Sequence, residues 1–363
     1  MGSDLRLLWQ SFQARAAAGP ICGLENFLVL KSQNVYLQTD MRAPRSLSAI
    51  IRLRSELFRA IRSFFEKLGF TEVSTPQLTR SPNLDPNLYP FQVQSRISPA
   101  NTRYWLITSP EHAMKRLLAD KMTQIFQLTQ AFRDDESSAL HLPEFTILEW
   151  YRTGQTLGVI AEDLQQLLSV CRDRIIAAGG PSTPKLRLDS PWETLLVTDA
   201  IRRYAKFDPR FDDRLISQVK GIDSNFYAND FETAFYYLMV TKVEPHLGTE
   251  TPTLLIDYPP STAALARVEL DSAGRPVAKR MELYINGIEL ANGFDELTDP
   301  TELRQRMLAW QQDKGLDLPL DDQLIEAVGR IPSPTAGIAL GVDRLLMLLL
   351  GENDIRSVQP FAG

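Results

Sequence analysis

The chain has 363 residues, 39 basic against 45 acidic side chains for a net charge of −6, and is 44% hydrophobic and 23% charged. That composition belongs to an ordinary folded protein, not to a disordered, collagenous or membrane one. The mild acidity excludes a polybasic nucleic-acid coat, which needs clustered Lys and Arg, but leaves room for a small basic pocket. Cys22 and Cys171 stand far apart without a CxxC, and only His112, His141 and His246 are present. Neither a disulfide framework nor a Cys/His zinc site is expected, and the thiols read as reduced residues of a cytoplasmic protein. No run reaches the roughly 18 apolar residues of a membrane span, and the opening MGSDLRLLWQ lacks the basic-then-apolar pattern of a signal peptide.

In chain order, residues 1–50 are mixed and carry no legible chemistry. From Arg52 to Leu68, Leu53, Leu57, Ile61, Phe64, Phe65 and Leu68 recur at helical spacing and Gly69 follows, which predicts one amphipathic helix. Phe70 to Pro76 reads as a short strand, and the Pro-, Asn- and Ser-rich 81–98 as a loop. Tyr104 to Ile107 predicts a strand feeding a helix that starts at Thr108-Ser-Pro110, with Glu111 in its first turn. The apolar runs Ile125–Leu128 and Phe145–Leu148, separated by the charged Arg133-Asp-Asp-Glu-Ser-Ser138, predict a long-looped hairpin. Residues 155–240 read as mainly helical. Thr253–Ile256, Glu282–Ile285 and Ile288–Leu290 read as strands, the last two joined by Asn286-Gly287, a strong hairpin signal. Gly337 to Leu350 reads as a strand passing into a buried helix. Neighbouring hairpins among helices favour an α+β fold, an antiparallel β-sheet flanked by helices.

Neither a P-loop nor a GxGxxG is present, so any nucleotide must be gripped by side chains. Arg133 and Arg344 offer planar forks for phosphate, and Glu282 with Glu289, seven residues apart across the Asn-Gly turn, are candidates to share a cleft and a magnesium ion. Taken singly, each such residue is usually only a solvated face. Their combination changes the reading. Phe132-Arg133-Asp-Asp-Glu136 with His141-Leu-Pro-Glu144-Phe145 resembles motif 2 of the class II aminoacyl-tRNA synthetases, and Gly337-Ile-Ala-Leu-Gly341-Val-Asp-Arg344 resembles their motif 3. The helix to Leu68 and the strand to Pro76 look like motif 1, the dimerisation element. Thr108-Ser-Pro-Glu111, Leu148-Glu-Trp-Tyr151 and Glu289-Leu-Ala-Asn-Gly-Phe294-Asp-Glu296-Leu are similar to the lysine subgroup. The roughly 50 residues ahead of motif 1 are too few for the anticodon-binding barrel of that subgroup. The expected organisation is therefore a 1–50 extension of unknown role and a class II catalytic domain over 51–363, with no anticodon-binding domain. That resembles the truncated paralogues of the subgroup, ligases that attach lysine or (R)-β-lysine to a lysine of elongation factor P.

The resemblance implies a class II catalytic fold, ATP and magnesium as cofactors, a lysine-like amino acid, elongation factor P as acceptor, and a homodimer, with neither tRNA nor membrane as partner. It implies that Arg133 clamps the α-phosphate and the substrate carboxylate, that Arg344 holds the γ-phosphate with His141 beside it, and that Phe145 stacks on adenine. Asp135, Leu142, Leu290 and Gly341 complete the ATP set, with Glu282 and Glu289 as metal ligands. Ser109, Pro110, Glu111, Glu149, Tyr151, Ala291, Asn292, Phe294 and Glu296 form the implied amino-acid pocket. Glu111 takes one amino group, and Glu296 with Tyr151 takes the side-chain ammonium, since such a charge buried alone would be prohibitive. Ala291 stands where true lysyl-tRNA synthetases carry glycine, and one methyl in a pocket wall is worth about 1–3 kcal/mol of discrimination. Asp135 (family glutamate) and Leu142 (family asparagine) depart from the pattern. Tyr151 and Phe294 are also what a core uses, Glu149 what a structural brace uses, and His112 and His246 read as packing or surface histidines. Two rival readings remain: a compact synthetase that charges tRNA with lysine, and a non-catalytic amino-acid-binding paralogue.

Overall fold

Ser46 opens the first helix, its Oγ accepting from the Ala49 N–H at 3.3 Å, so α1 runs Leu47–Lys67 and starts a turn earlier than its apolar spacing announces. Leu53, Leu57, Ile61, Phe64 and Phe65 are buried along it, and Gly69, at φ +76°, lets the chain leave in the left-handed region. The structure, a computed structural model, describes residues 45–361 apart from 85–87, 97–101, 135–136, 182–185 and 315–317. Most of the expected extension, Cys22 and Asp135 lie outside the described residues.

After α1 come β1 (Thr71–Glu72), β2 (Leu78–Thr79), β3 (Gln92–Gln94), β4 (Arg103–Leu106), α2 (Glu111–Ala119), β5 (Gln124–Phe132) and β6 (Glu144–Thr153). The helical region supplies α3 (Leu157–Ala177), α4 (Val197–Tyr204), α5 (Arg214–Ile222) and α6 (Phe231–Leu238), with one strand among them, β7 (Glu193–Leu196). Then follow β8 (Thr253–Tyr258), β9 (Val268–Leu270), β10 (Pro276–Ile285), β11 (Ile288–Asp295), α7 (Pro300–Lys314), α8 (Asp322–Val328), β12 (Thr335–Gly341) and α9 (Val342–Leu350). The strand expected over 70–76 shortens to β1, and the loop expected over 81–98 contains β3.

Among the described residues the main sheet has nine strands in the order β1-β5-β6-β12-β11-β10-β8-β7, with β9 on β10. Its interior is antiparallel, and only the edge pairs β1–β5 and β7–β8 are parallel. Strands β2, β4 and β3 form a small separate sheet. Asn286 and Gly287, at φ +53° and +73°, make the tight turn between β10 and β11 that their sequence predicts. One face of the sheet packs on α1, α3 and α9, apolar from Leu345 onward, around Phe65, Trp150, Leu164 and Leu346. The α+β architecture is thus the antiparallel sheet with helical cover that the sequence led us to expect. No helix among the described residues is long and apolar enough to cross a membrane.

Candidate active site

Side chains alternate along a strand, so cross-strand partners share a face. Registers across five strands set Ile125, Tyr151, Gly337, Phe294 and Arg280 in one row, and Gln127, Glu149, Ala339, Asn292 and Glu282 in the next. Strict alternation would turn Glu289 and Asn292, three residues apart, to opposite faces. A bulge prevents this: Leu283 pairs with Ala291 and Tyr284 with Glu289, leaving Leu290 as the extra residue, so Glu289 and Asn292 both face the same side. That face floors a cavity of about 630 Å³.

At one end stand the two arginines. The Arg344 guanidinium donates to Leu140 O (3.2 Å), Glu289 O (2.8 Å) and His141 Nε2 (2.5 Å). These bonds use three of its five N–H donors. Because His141 Nε2 accepts, its proton sits on Nδ1, which donates to Ser138 Oγ at 2.8 Å. Arg133 donates from Nε to Thr108 O (3.4 Å), and its guanidinium lies over the Phe145 ring, 4.9 Å from the centroid. The two arginines, far apart in sequence, line one cavity with His141, Leu142, Phe145, Glu289, Leu290 and Gly341. A Cβ on Gly341 would meet nothing closer than Arg344 Cβ and Cδ at 3.7 Å, so nothing in the chain itself crowds that position.

The other end is acidic and buried. Ser109 Oγ and Tyr151 Oη (3.1 Å) donate to the two oxygens of Glu149. Burial, reinforced by the charge of Glu111, pushes Glu149 up to about 8 against those two bonds. Burial also raises Glu296 to about 8, and the nearby Lys115 offsets it only in part. Glu111, Asn292 and Phe294 complete this end.

Three expected site residues have other surroundings. Pro110 does not line the cavity; it forms the N-terminal cap position of α2, its carbonyl accepting from Met114 N–H at 3.0 Å. The Ala291 methyl packs in the core with Leu283 and Leu340, on the face opposite Asn292, so Ala291 meets the cavity only along its backbone. Glu282 is on the cavity's face but does not line it. Arg280 pairs with Oε1, while Tyr258 (2.5 Å) and Tyr284 (2.7 Å) donate to Oε2. Of the two expected metal carboxylates only Glu289 reaches the cavity, and no group of three or more metal-type side chains occurs among the described residues. Glu282 is thus held by protein donors, while Glu289 faces the cavity. Of the other histidines, His246 stacks on Tyr204, as expected of a packing residue, whereas His112 lines the cavity 3.6 Å from Asp321.

Sequence reasoning missed several residues that build the site. Buried Arg280 donates to Asn292 Oδ1 (3.2 Å) and Thr262 O (2.8 Å), which turns the Asn292 amide nitrogen away from Arg280. Arg54, on α1, pairs with Asp343 and donates to Thr146 Oγ1 (2.5 Å), and Asp343 Oδ2 accepts from Thr146 N–H (2.7 Å). The first helix is thereby tied to the residue next to Arg344. Gly337 lies under Tyr151, where a Cβ would stand 2.2 Å from its ring. Lys115 is buried between Glu111 and Glu296. Only the i,i+4 spacing of Glu111 and Lys115 was visible in sequence.

Comparison with known proteins accords with this geometry. The model of the family described as tRNA synthetases class II (D, K and N) matches residues 30–363. The chain is 39% identical over 300 residues to a protein of Aquifex aeolicus named elongation factor P–(R)-β-lysine ligase homolog, covering 82% of this chain and 94% of that one. It is 35% identical over 323 residues to the elongation factor P–(R)-β-lysine ligase of Salmonella arizonae, covering 85% and 93%. A matching motif order, an antiparallel sheet carrying both arginines and a family match over nearly the whole chain converge: the protein belongs to the class II tRNA synthetase family of the D, K and N type.

Proposed function

We propose that the protein is an ATP-dependent ligase that activates lysine or (R)-β-lysine as an aminoacyl-adenylate and transfers it to a lysine ε-amine of elongation factor P. One observation carries this reading: a single cavity has two guanidinium groups at one end and, at the other, the buried Glu149 and Glu296 with the half-buried Glu111. The names of the relatives in Aquifex and Salmonella support the same acceptor and amino acid.

Arg133 bridges the α-phosphate and the substrate carboxylate, setting a carboxylate oxygen in line with the α-phosphorus. Arg344, braced by three acceptors, meets the terminal phosphates with its two remaining N–H donors. The Phe145 ring, already under Arg133, offers a stacking surface for adenine. The new P–O bond forms as the bond to pyrophosphate breaks, and the leaving charge falls on groups already in position. A neutral acceptor amine then attacks the adenylate carbonyl carbon, AMP leaves, and the amine's proton passes to solvent. Glu289 alone is presented for a cation that arrives with the triphosphate, so no step is assigned to a protein-held metal. At the acidic end, Glu111 receives one substrate amino group and Glu296 with Tyr151 the other. Leu47 and Ile51, exposed on α1, suit the homodimer expected of motif 1.

ATP–pyrophosphate exchange with a panel of amino acids, followed by intact-mass measurement of elongation factor P, tests this reading. Exchange with diamino acids and a matching mass increase on the factor are expected, and Arg133→Ala abolishes both. Ribonuclease-sensitive transfer of lysine to tRNA, or an absence of exchange with every amino acid, contradicts it.

A further inference from the structure

The acidic end also holds a cation of its own, Lys115, which the mechanism above does not use. Its side chain is 2% exposed, and its Nζ lies 2.7 Å from Glu111 Oε1 and 2.6 Å from Glu296 Oε2. Lysine is almost never fully buried unless paired, and here it is paired twice. Glu111 precedes it by one helical turn on α2, whereas Glu296 arrives from just beyond β11. Beyond the ion pair, Glu111 Oε1 and both Glu296 oxygens have no hydrogen-bond partner among the described residues. Glu296 Oε1 sits over Gly337, 3.0 Å from where a Cβ would stand and beside the Tyr151 ring.

Glu111, Glu149 and Glu296 face one internal ammonium, which leaves two negative charges for the occupant of the cavity to match. An amino acid with one amino group matches only one of them and leaves the other carboxyl protonated, without an ion pair. One with two amino groups closes the balance. We propose that Lys115 is a specificity-determining positioning residue: a fixed cation that occupies one oxygen each of Glu111 and Glu296, so that the cavity demands two ammonium groups from its substrate. This rests on the acidic end being the amino-acid pocket, as argued above. Burial opposes the charge on Lys115, but Glu111 and Glu296 beside it outweigh that and hold its pKa above the ordinary lysine value. In the empty cavity the raised Glu149 and Glu296 keep protons at neutral pH, and entering ammonium groups displace them. Without Lys115, Glu111 and Glu296, which touch the same nitrogen, are free to share a proton as paired carboxylates do, and the demand for a second ammonium lapses.

The test is pyrophosphate exchange by wild-type and Lys115→Met enzyme, with lysine and with norleucine, which keeps lysine's carbon chain and lacks its terminal ammonium. The ratio of kcat/KM for lysine over norleucine is expected to fall at least ~100-fold in the variant, through the lysine KM, with the ATP KM unchanged. A merely structural lysine lowers both rates together and leaves the ratio intact, and that result overturns the proposal. Should Lys115→Met not fold, the wild type supplies a second reading, free of any variant: calorimetry at pH 7 in two buffers of different ionisation enthalpy. More protons released by lysine than by norleucine is expected, and equal release overturns the proposal. Wild-type enzyme that exchanges with no diamino acid refutes the proposed function itself, whereas normal wild-type exchange with an unchanged ratio in Lys115→Met refutes only the role of Lys115.

Discussion

Replacing Gly337 with alanine isolates the amino-acid end of the cavity from the nucleotide end. The added Cβ would lie 2.2 Å from Tyr151 Cδ1 and 2.3 Å from Cε1, against the roughly 3.5 Å of an ordinary carbon contact, so the ring must retreat by about 1.3 Å. Tyr151 is only 3% exposed and packs with Ile125 and Met114, so overpacking there costs about 1–3 kcal/mol. The same retreat stretches the 3.1 Å bond to Glu149 past hydrogen-bond range, which for a charged acceptor is worth about 1.5–3 kcal/mol. Part of that loss falls on the folded state and part on substrate binding. The amino-acid KM is expected to rise about 10–100-fold, since 1.4 kcal/mol is a factor of ten. The ATP KM should stay within about threefold, because Arg133, Phe145 and Arg344 lie at the other end. Pyrophosphate exchange with each substrate varied in turn measures both constants, and a melting curve shows the stability loss. An unchanged amino-acid KM, or equal rises in both, refutes the reasoning.

Arg54→Met strands Asp343 without its cation in the core and is expected to cost about 3–5 kcal/mol of stability, read by urea unfolding, while raising the ATP KM through the neighbouring Arg344. The acidic end makes the protein pH-dependent in a stated direction. Glu149 and Glu296 sit near 8 in the folded chain and at about 4.5 unfolded, so between those values the folded state binds more protons and its stability falls as pH rises. Melting temperatures of ligand-free protein across pH 5 to 8.5 read this, and Glu149→Gln should flatten the profile. Diamino-acid binding needs the same carboxylates ionised, so lysine KM is expected to fall from pH 6.5 to 8.5; a KM that rises over that range opposes the assignment.

What was legible in the sequence was local. The α1 stripe, the Asn286-Gly287 turn and the passage from β12 into the apolar α9 depend on residues a few positions apart, and each formed where its pattern stands. Arg133 and Arg344 were legible because each follows closely on a strand, Arg133 directly after β5 and Arg344 in the first turn of α9, with a fixed motif around it. What escaped depends on partners brought from elsewhere. β7, among helices, is a strand because β8 receives it in parallel. The Leu290 bulge follows from the register against β10, and no single-strand pattern announces it. The Lys115–Glu296 and Arg54–Asp343 ion pairs join segments far apart, and Arg280 and Glu282, two residues apart on β10, pair on a face that only the assembled sheet buries. Glu282 has the right spacing from Glu289, yet two tyrosines and Arg280 hold its oxygens. Ala291 lines the cavity, but alternation from Asn292 turns its methyl toward Leu283 and Leu340, whereas the bulge brings Glu289 round to the Asn292 side.

A crystal structure with the sulfamoyl analogue of lysyl-adenylate bears most directly on the claim that one cavity joins a phosphate end to an ammonium end. The account predicts the sulfamoyl group against the Arg133 guanidinium, one amino group at Glu111, and the side-chain ammonium within about 3 Å of Glu296 Oε1. An aminoacyl chain directed away from Glu296, or an analogue bound with Arg133 out of contact, would contradict it.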